Sequence, residues 1–232
     1  MARGMFFFIL MISCIFSFSQ SNDQIRDVGI FNAVLVKGSA DIVYIPSEKY
    51  TVVIRSQHSD DIITELKGNK LLIFFKKQKS LAWSEMNSVG KKYVVYVYAP
   101  FLEEIESMGS GNVVIDGILK SDSLAIKIAG SGNFSGQLNV ESLTLKSMGS
   151  GNFRLRGNVM NANISSSGSG NLQGFDLLID KCTLSKSGSG NTQLSVVNSL
   201  LGSISGSGNM TYKGNPPIVS CASSGSGKVK KV

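Results

Sequence analysis

Repeated Gly-Ser-Gly tetrads, a lone histidine, two separated cysteines and a short run of glutamates are the residues of this chain whose types could do chemistry. Gly-Ser-Gly-Asn begins at Gly109, Gly130, Gly149, Gly168, Gly188 and Gly206, and a seventh copy at Gly225 ends in Lys228. A glycine-rich turn can cradle a phosphate through its backbone N–H groups. That use needs one turn feeding a helix N-terminus, usually with a lysine, whereas these copies have strand-like sequence on both sides. Calcium-binding repeats carry Asp at a nine-residue period, and this tetrad has no carboxylate for a hard cation. The tetrad therefore reads as a structural corner, the alternative being a ligand lying along a Ser/Asn row. Glycine permits positive φ and close approach between chains. Gly170 is expected at positive φ, which a β-branched residue resists. Stacked in register, Asn112, Asn133, Asn152, Asn171, Asn191 and Asn209 would form an amide ladder.

The other groups assemble no reaction centre. His58 lies in the polar stretch Ser56-Gln57-His58-Ser59 and reads as a surface residue. One histidine and the separated Cys182 and Cys221 make no metal set. The serines are periodic, and no His–Asp pair points at one of them. Glu103, Glu104 and Glu106 cluster before the first tetrad, and acids flanking a cleft could hydrolyse a glycan. Beyond Asp116, however, only Asp122, Glu141, Asp176 and Asp180 follow, scattered among the repeats. The cluster reads as a solvated face, and the chain as non-catalytic, with no cofactor and no metal.

The elements that carry the tetrads follow from their spacing. Successive copies are 21, 19, 19, 20, 18 and 19 residues apart. Four residues before each copy stand Ile105, Ile126, Leu145, Ile164, Leu184, Gly202 and Cys221, and directly after it Val113, Phe134, Phe153, Leu172, Thr192, Met210 and Val229. Apolar positions recur at a spacing of two on both sides, which is strand periodicity. Each unit is thus strand, Gly-rich corner, strand and looser turn. A unit of this size cannot bury its own apolar face, but a stack of parallel coils can. The fold class is all-β, a parallel β-helix or β-solenoid, right-handed by the general rule for parallel crossovers. Cys182 and Cys221 fall two coils apart, roughly 10 Å at ~4.8 Å per coil, too far for a disulfide. Both are expected as buried free thiols. Lys228, Lys230 and Lys231 in the last strand would guard an open edge.

Residues 28–100 lack the tetrad but are rich in strand formers, with candidate strands at 28–36, 40–46, 50–56, 70–77 and 92–99. Ser59 to Leu66 could hold one helical turn with Ser59 as N-cap, and 78–91, with Trp83, reads as a loop. This region is expected to form a sheet that caps the first coil. Arg3 followed by the apolar run Met5 to Phe18 and small residues at Ser17 and Ser19 reads as a secretory signal, too short for a membrane span. Cys14 as a lipidated N-terminus is the alternative. The expected division is a signal peptide at 1–19, a β-rich capping region at 20–102 and a repeat solenoid at 103–232. Removing Arg3 lowers the formal net charge from +7 to +6, a mild excess rather than a nucleic-acid stripe. No later stretch is apolar enough to span a bilayer.

The strand Ile30 to Val36, Gly38-Ser39-Ala40-Asp41-Ile42-Val43-Tyr44, Tyr50 to Ile54, Leu71-Leu72-Ile73 and Val97-Tyr98-Ala99-Pro100-Phe101-Leu102 followed by the Gly-Ser-Gly series resemble the head GIN domain family. Its members are described as "putative auto-transporter adhesins" and are common in Bacteroidetes. The resemblance implies a secreted β-helical protein with an adhesion role and supplies no catalytic residue. Phe101, the acidic Glu103-Glu104 and Lys228 in place of the last Asn depart from the pattern. The expectation is an exported envelope or surface protein, in the periplasm, on the outer membrane or outside the cell. It would bind a glycan or envelope protein through a face carrying Lys127, Lys146, Arg154 and Arg156. The alternatives are a periplasmic scaffold that self-associates into a homo-oligomer and a polysaccharide-active enzyme.

Overall fold

The computed structural model describes residues 23–76 and 92–232. The expected signal segment with Cys14, and the expected loop with Trp83, lie outside the described residues. From the first tetrad onward the chain runs as β8 (Glu104–Gly109), β9 (Val113–Gly130), β10 (Phe134–Gly149), β11 (Phe153–Gly168), β12 (Leu172–Ser187), β13 (Thr192–Ser205), β14 (Met210–Lys213), β15 (Ile218–Ser224) and β16 (Val229–Lys231). Each pairs in parallel with its equivalent in an adjacent coil, corner opposite corner, as in Gly149↔Gly168 and Phe134↔Phe153. This is the stacked parallel solenoid that the spacing predicts.

The looser turn differs from expectation. β9 to β12 are single ladders of 16 to 18 residues that bend around the coil without leaving it. Unequal coil lengths are absorbed by bulges in these ladders. The 21-residue coil meets its 19-residue neighbour with two extra residues between Val114 and Ile118 opposite Ser135 and Gln137. The 20-residue coil fits in one extra residue between Gln173 and Asp176 opposite Arg154 and Arg156. The tetrad can therefore stay in register while the far side of the coil varies.

The first half is more than a cap. β2 (Ala33–Gly38) pairs in parallel with β8 and β3 (Asp41–Pro46) with β9, setting Gly38 opposite Gly109 and Ile42 opposite Val113. Residues 33–46 are thus a coil with Gly38-Ser39-Ala40-Asp41 as its corner. β6 (Lys70–Phe75) and β7 (Val94–Ala99) stack beyond it, parallel to β2 and β3. Chain order and stack order therefore cross, because β6 and β7, later in the chain, lie outside the coil made of 33–46. The capping strands are β1 (Asp23–Arg26), β4 (Thr51–Arg55) and β5 (Ile62–Lys67), all antiparallel to their neighbours. The expected helical turn is a 3-10 turn over Ser59–Asp61 with His58, not Ser59, at the N-cap and no side-chain cap bond. Ile62 onward is strand because Ile62 is buried against the core.

Inward columns of side chains run the length of the stack. The column after the corner holds Val113, Phe134, Phe153, Leu172, Thr192 and Met210, each no more than 5% exposed. The rings of Phe134 and Phe153 stack at 6.0 Å. Parallel strands buried on their inner face gain this continuous apolar contact from each added coil.

Candidate functional site

The corner row is the most regular polar feature on the surface. The Asn112 backbone N–H and side-chain amide donate to Asp41 Oδ1 at 2.7 and 3.0 Å. Asn133 donates in the same way to Asn112 Oδ1 at 3.1 and 2.9 Å, and Asn171 to Asn152 Oδ1 at 3.0 and 3.0 Å. Asn191 and Asn209 donate their backbone N–H groups to Asn171 Oδ1 and Asn191 Oδ1 at 2.8 and 2.9 Å. The Lys228 N–H closes the row on Asn209 Oδ1 at 3.0 Å. Beside it Ser110, Ser131, Ser150, Ser169, Ser189 and Ser207 form an exposed hydroxyl row.

Both glycines of the tetrad sit where a Cβ would meet the neighbouring backbone, and the first also has a positive φ. Gly168 has φ +133°, whereas Gly170 has no positive φ, contrary to the reason expected for it. Gly170 is glycine because a Cβ there would overlap the carbonyl oxygen of Gly151 in the preceding coil. The corners thus nest at a distance that only a hydrogen can occupy.

A shallow groove follows the ladder on the side after the corner. One stretch, of about 430 Å³, is lined by Asp41, Val43, Val94, Asn112, Val114, Asn133 and Ser135 among others. The next, of about 300 Å³, is lined by Asn133, Ser135, Asn152, Arg154 and Gln173 among others. The two share Asn133 and Ser135, so they join end to end. The outward row beside the ladder reads Tyr96, Val43, Val114, Ser135, Arg154 and Gln173, each the register partner of the next. It passes from apolar to polar along the stack axis. Arg154 Nε donates to Gln173 Oε1 at 3.0 Å, which holds the guanidinium over the groove end.

The four basic residues named from sequence are not on one face. Arg154 and Arg156 lie on the strand after the corner, with Arg154 in the groove. Lys127 and Lys146 are register partners on the strands before the corner. Lys127 is engaged, its Nζ 2.5 Å from Glu104 Oε1, while Lys70 Nζ lies 2.6 Å from Glu104 Oε2. Burial pushes the Glu104 carboxyl up, but hydrogen bonds from Lys127 and Lys70 outweigh it and hold the group below its ordinary value. Glu106 joins this cluster 3.8 Å from Lys70. Glu103 accepts from Asn32 Nδ2 at 2.6 Å. The acids thus serve ion pairs and a side-chain tether. His58 is exposed.

Sequence reasoning missed two residues. Asp41 heads the ladder, and its signal was the Gly38-Ser39 pair followed by a short acceptor in the fourth place. Lys186 sits in the inward column, where Ser166 and Ser147 stand one and two coils away. It is 2% exposed and its Nζ has no hydrogen-bond partner. Burial pushes its pKa down. The alternation Cys182, Leu184, Lys186 carried that signal. Both cysteines are free, but only Cys182 is buried. Burial, with the nearby Cys221 thiol second, pushes the Cys182 pKa up to about 12. Cys221 is half-buried because it lies in β15, on which no further coil stacks among the described residues. Among those residues no group of three or more His, Cys, Asp or Glu side chains could hold a metal ion. No helix among them is long and apolar enough to cross a membrane.

The chain is similar to several solved proteins. A crystal structure of a "putative adhesin" from Bacteroides fragilis is 28% identical, with 90% of this chain and 96% of that chain covered and a TM-score of 0.81. A "putative lipid binding protein" from Parabacteroides distasonis is 25% identical, with 92% and 98% covered and a TM-score of 0.69. A "putative adhesin" from Parabacteroides merdae, 22% identical over 90% and 95% with a TM-score of 0.68, shares the fold. A search of curated proteins finds no match. A family model matches residues 30–216, from just before β2 through the sixth full tetrad, and the chain accordingly belongs to the family described as "Putative auto-transporter adhesin, head GIN domain".

Proposed function

We propose that this protein is an exported, non-catalytic adhesion module that holds an extended polymer, a glycan or another envelope polymer, in the groove beside the Asn ladder. The observation that carries the reading is the continuity of that groove across successive coils, with the same polar edge at each step of ~4.8 Å. Such a surface suits a ligand that repeats along its own axis. Each Asn amide in the two-bond part of the ladder has a second N–H left for the ligand. Val43 and Val114 offer apolar contact, and Arg154 a charged donor that can meet a carboxylate or phosphate. The names given to the family and to its solved relatives support adhesion in outline. The reading is tested by a glycan and envelope-polymer array with residues 20–232 at low and moderate salt. Saturable binding to one polymer class supports it, and no binding across the array sinks it.

A second reading is favoured by a separate groove of about 730 Å³ in the capping region, lined by Leu35, Ile63, Leu72, Phe74 and Phe75 with Lys37, Glu65 and Lys67. Its apolar lining suits an acyl chain, in line with the description of the Parabacteroides distasonis relative as lipid binding. Displacement of a fluorescent fatty acid, weakened by Leu72→Ala, is expected on that reading. No uptake of the fatty acid would remove it.

A further inference from the structure

The positive charge of the chain is gathered at one end of the stack. Beyond Asp180 the sequence holds no Asp or Glu and six lysines. Lys186 is buried, while Lys181, Lys213, Lys228, Lys230 and Lys231 are exposed. Four of those five belong to the last corner and to β14 and β16.

The same end presents an unfinished layer. Val219 of β15 stands in the column of Leu124, Leu143, Ala162, Cys182 and Leu200, linked by register one coil at a time. Those five are at most 5% exposed, yet Val219 is 45% exposed. Among the described residues β15 pairs only with β13 and β16 only with β14. Each therefore keeps one edge of N–H and C=O groups without ladder partners. At the opposite end β4 and β5 run antiparallel along β7 and β6 and cover the equivalent edges.

A strand edge beside a half-exposed apolar column can accept an added strand. Charge selects the occupant. A second copy offering the same end would set its own lysines against these, which like-charge repulsion opposes. We propose that the β15–β16 end docks an extended, acidic polypeptide segment of another protein. The segment adds as a strand beside β15, covers Val219 with an apolar side chain and sets its carboxylates near Lys228, Lys230 and Lys231. This surface is distinct from the groove, so the two ideas fail independently.

The test uses residues 20–232 and two fluorescent heptapeptides, one alternating Glu and Val and one alternating Lys and Val, read by anisotropy. The Glu peptide is expected to bind saturably and the Lys peptide not. The double variant Lys230→Glu, Lys231→Glu should weaken the Glu peptide at least tenfold and admit the Lys peptide. Val219→Asp should weaken the Glu peptide, with circular dichroism checking the fold; if it does not fold, the lysine variant decides. Ser135→Trp, in the groove at a distance from this end, should leave the binding of the Glu peptide as it is. Equal binding of both peptides, no binding of either, or binding of heparin with none of the Glu peptide would each overturn the proposal. So would a dimer in sedimentation that Val219→Asp dissolves.

Discussion

Asn133 Oδ1 accepts two hydrogen bonds from Asn152, one from its backbone N–H at 3.1 Å and one from its side-chain amide at 3.0 Å. Each interior Asn of this part of the row therefore donates to one neighbour and accepts from the other. Within the row the Asp41 side chain only accepts and Lys228 takes part through its backbone N–H, so the side chains that replace Asn at the two ends fit what the ends require. Asn152→Asp removes the donor and adds a charge inside the row, and should cost about 1–2 kcal/mol in urea unfolding. Asp41→Asn keeps the acceptor and should stay within about 0.5 kcal/mol. Equal costs for the two would contradict the polarity of the ladder.

Gly170→Ala tests the nesting of the corners. The new Cβ would overlap the Gly151 carbonyl oxygen, which belongs to backbone held by the ladder on both sides. A loss of more than about 4 kcal/mol, or no cooperative unfolding, is expected by thermal circular dichroism. Gly68→Ala is the control. It sits at φ +60° with nothing within 4 Å of a Cβ, so it should cost only about 1–2 kcal/mol from the backbone.

Lys186 gives a pH signature. Its folded pKa lies below its unfolded value of 10.5 because of burial. Between the folded pKa and 10.5 the unfolded chain binds more protons, so stability rises with pH across that window. Below the folded pKa the penalty is present in full. Lys186→Met should raise stability by roughly 1–3 kcal/mol at neutral pH and flatten this rise. A variant less stable than the wild type would show that the amine has a stabilising role.

Glu104 has the opposite sign. Its folded pKa is lowered against the unfolded value, so its contribution is present above about pH 4.5 and is lost as pH falls through the folded pKa. Glu104→Gln should cost at most about 1 kcal/mol, because Lys70 and Lys127 are partly solvated, and should cost less in high salt. A loss that salt leaves unchanged would point to packing instead.

The coils were legible because a tetrad that must nest backbone against backbone tolerates little change, so its spacing stands out. The coil of residues 33–46 was hidden because Ala40 and Asp41 replace half of the motif, and because its stacking partners β6 and β7 come later in the chain. The strand β5 was hidden because Ser59 reads as a helix N-cap, although burial of Ile62 decides the conformation. The groove was not legible. Lys127, Lys146, Arg154 and Arg156 are similar in type, and only register separates the pair on the strands before the corner from the pair after it.

The measurement that most directly tests the adhesion account is a titration of the array's best polymer against wild type, Arg154→Ala, Ser135→Trp and Lys146→Ala, with unfolding checked for each. Groove binding predicts a Kd raised about tenfold or more by Arg154→Ala and by Ser135→Trp, and unchanged by Lys146→Ala. Loss of binding in Lys146→Ala with full binding in Ser135→Trp would move the site to the other face and contradict the account.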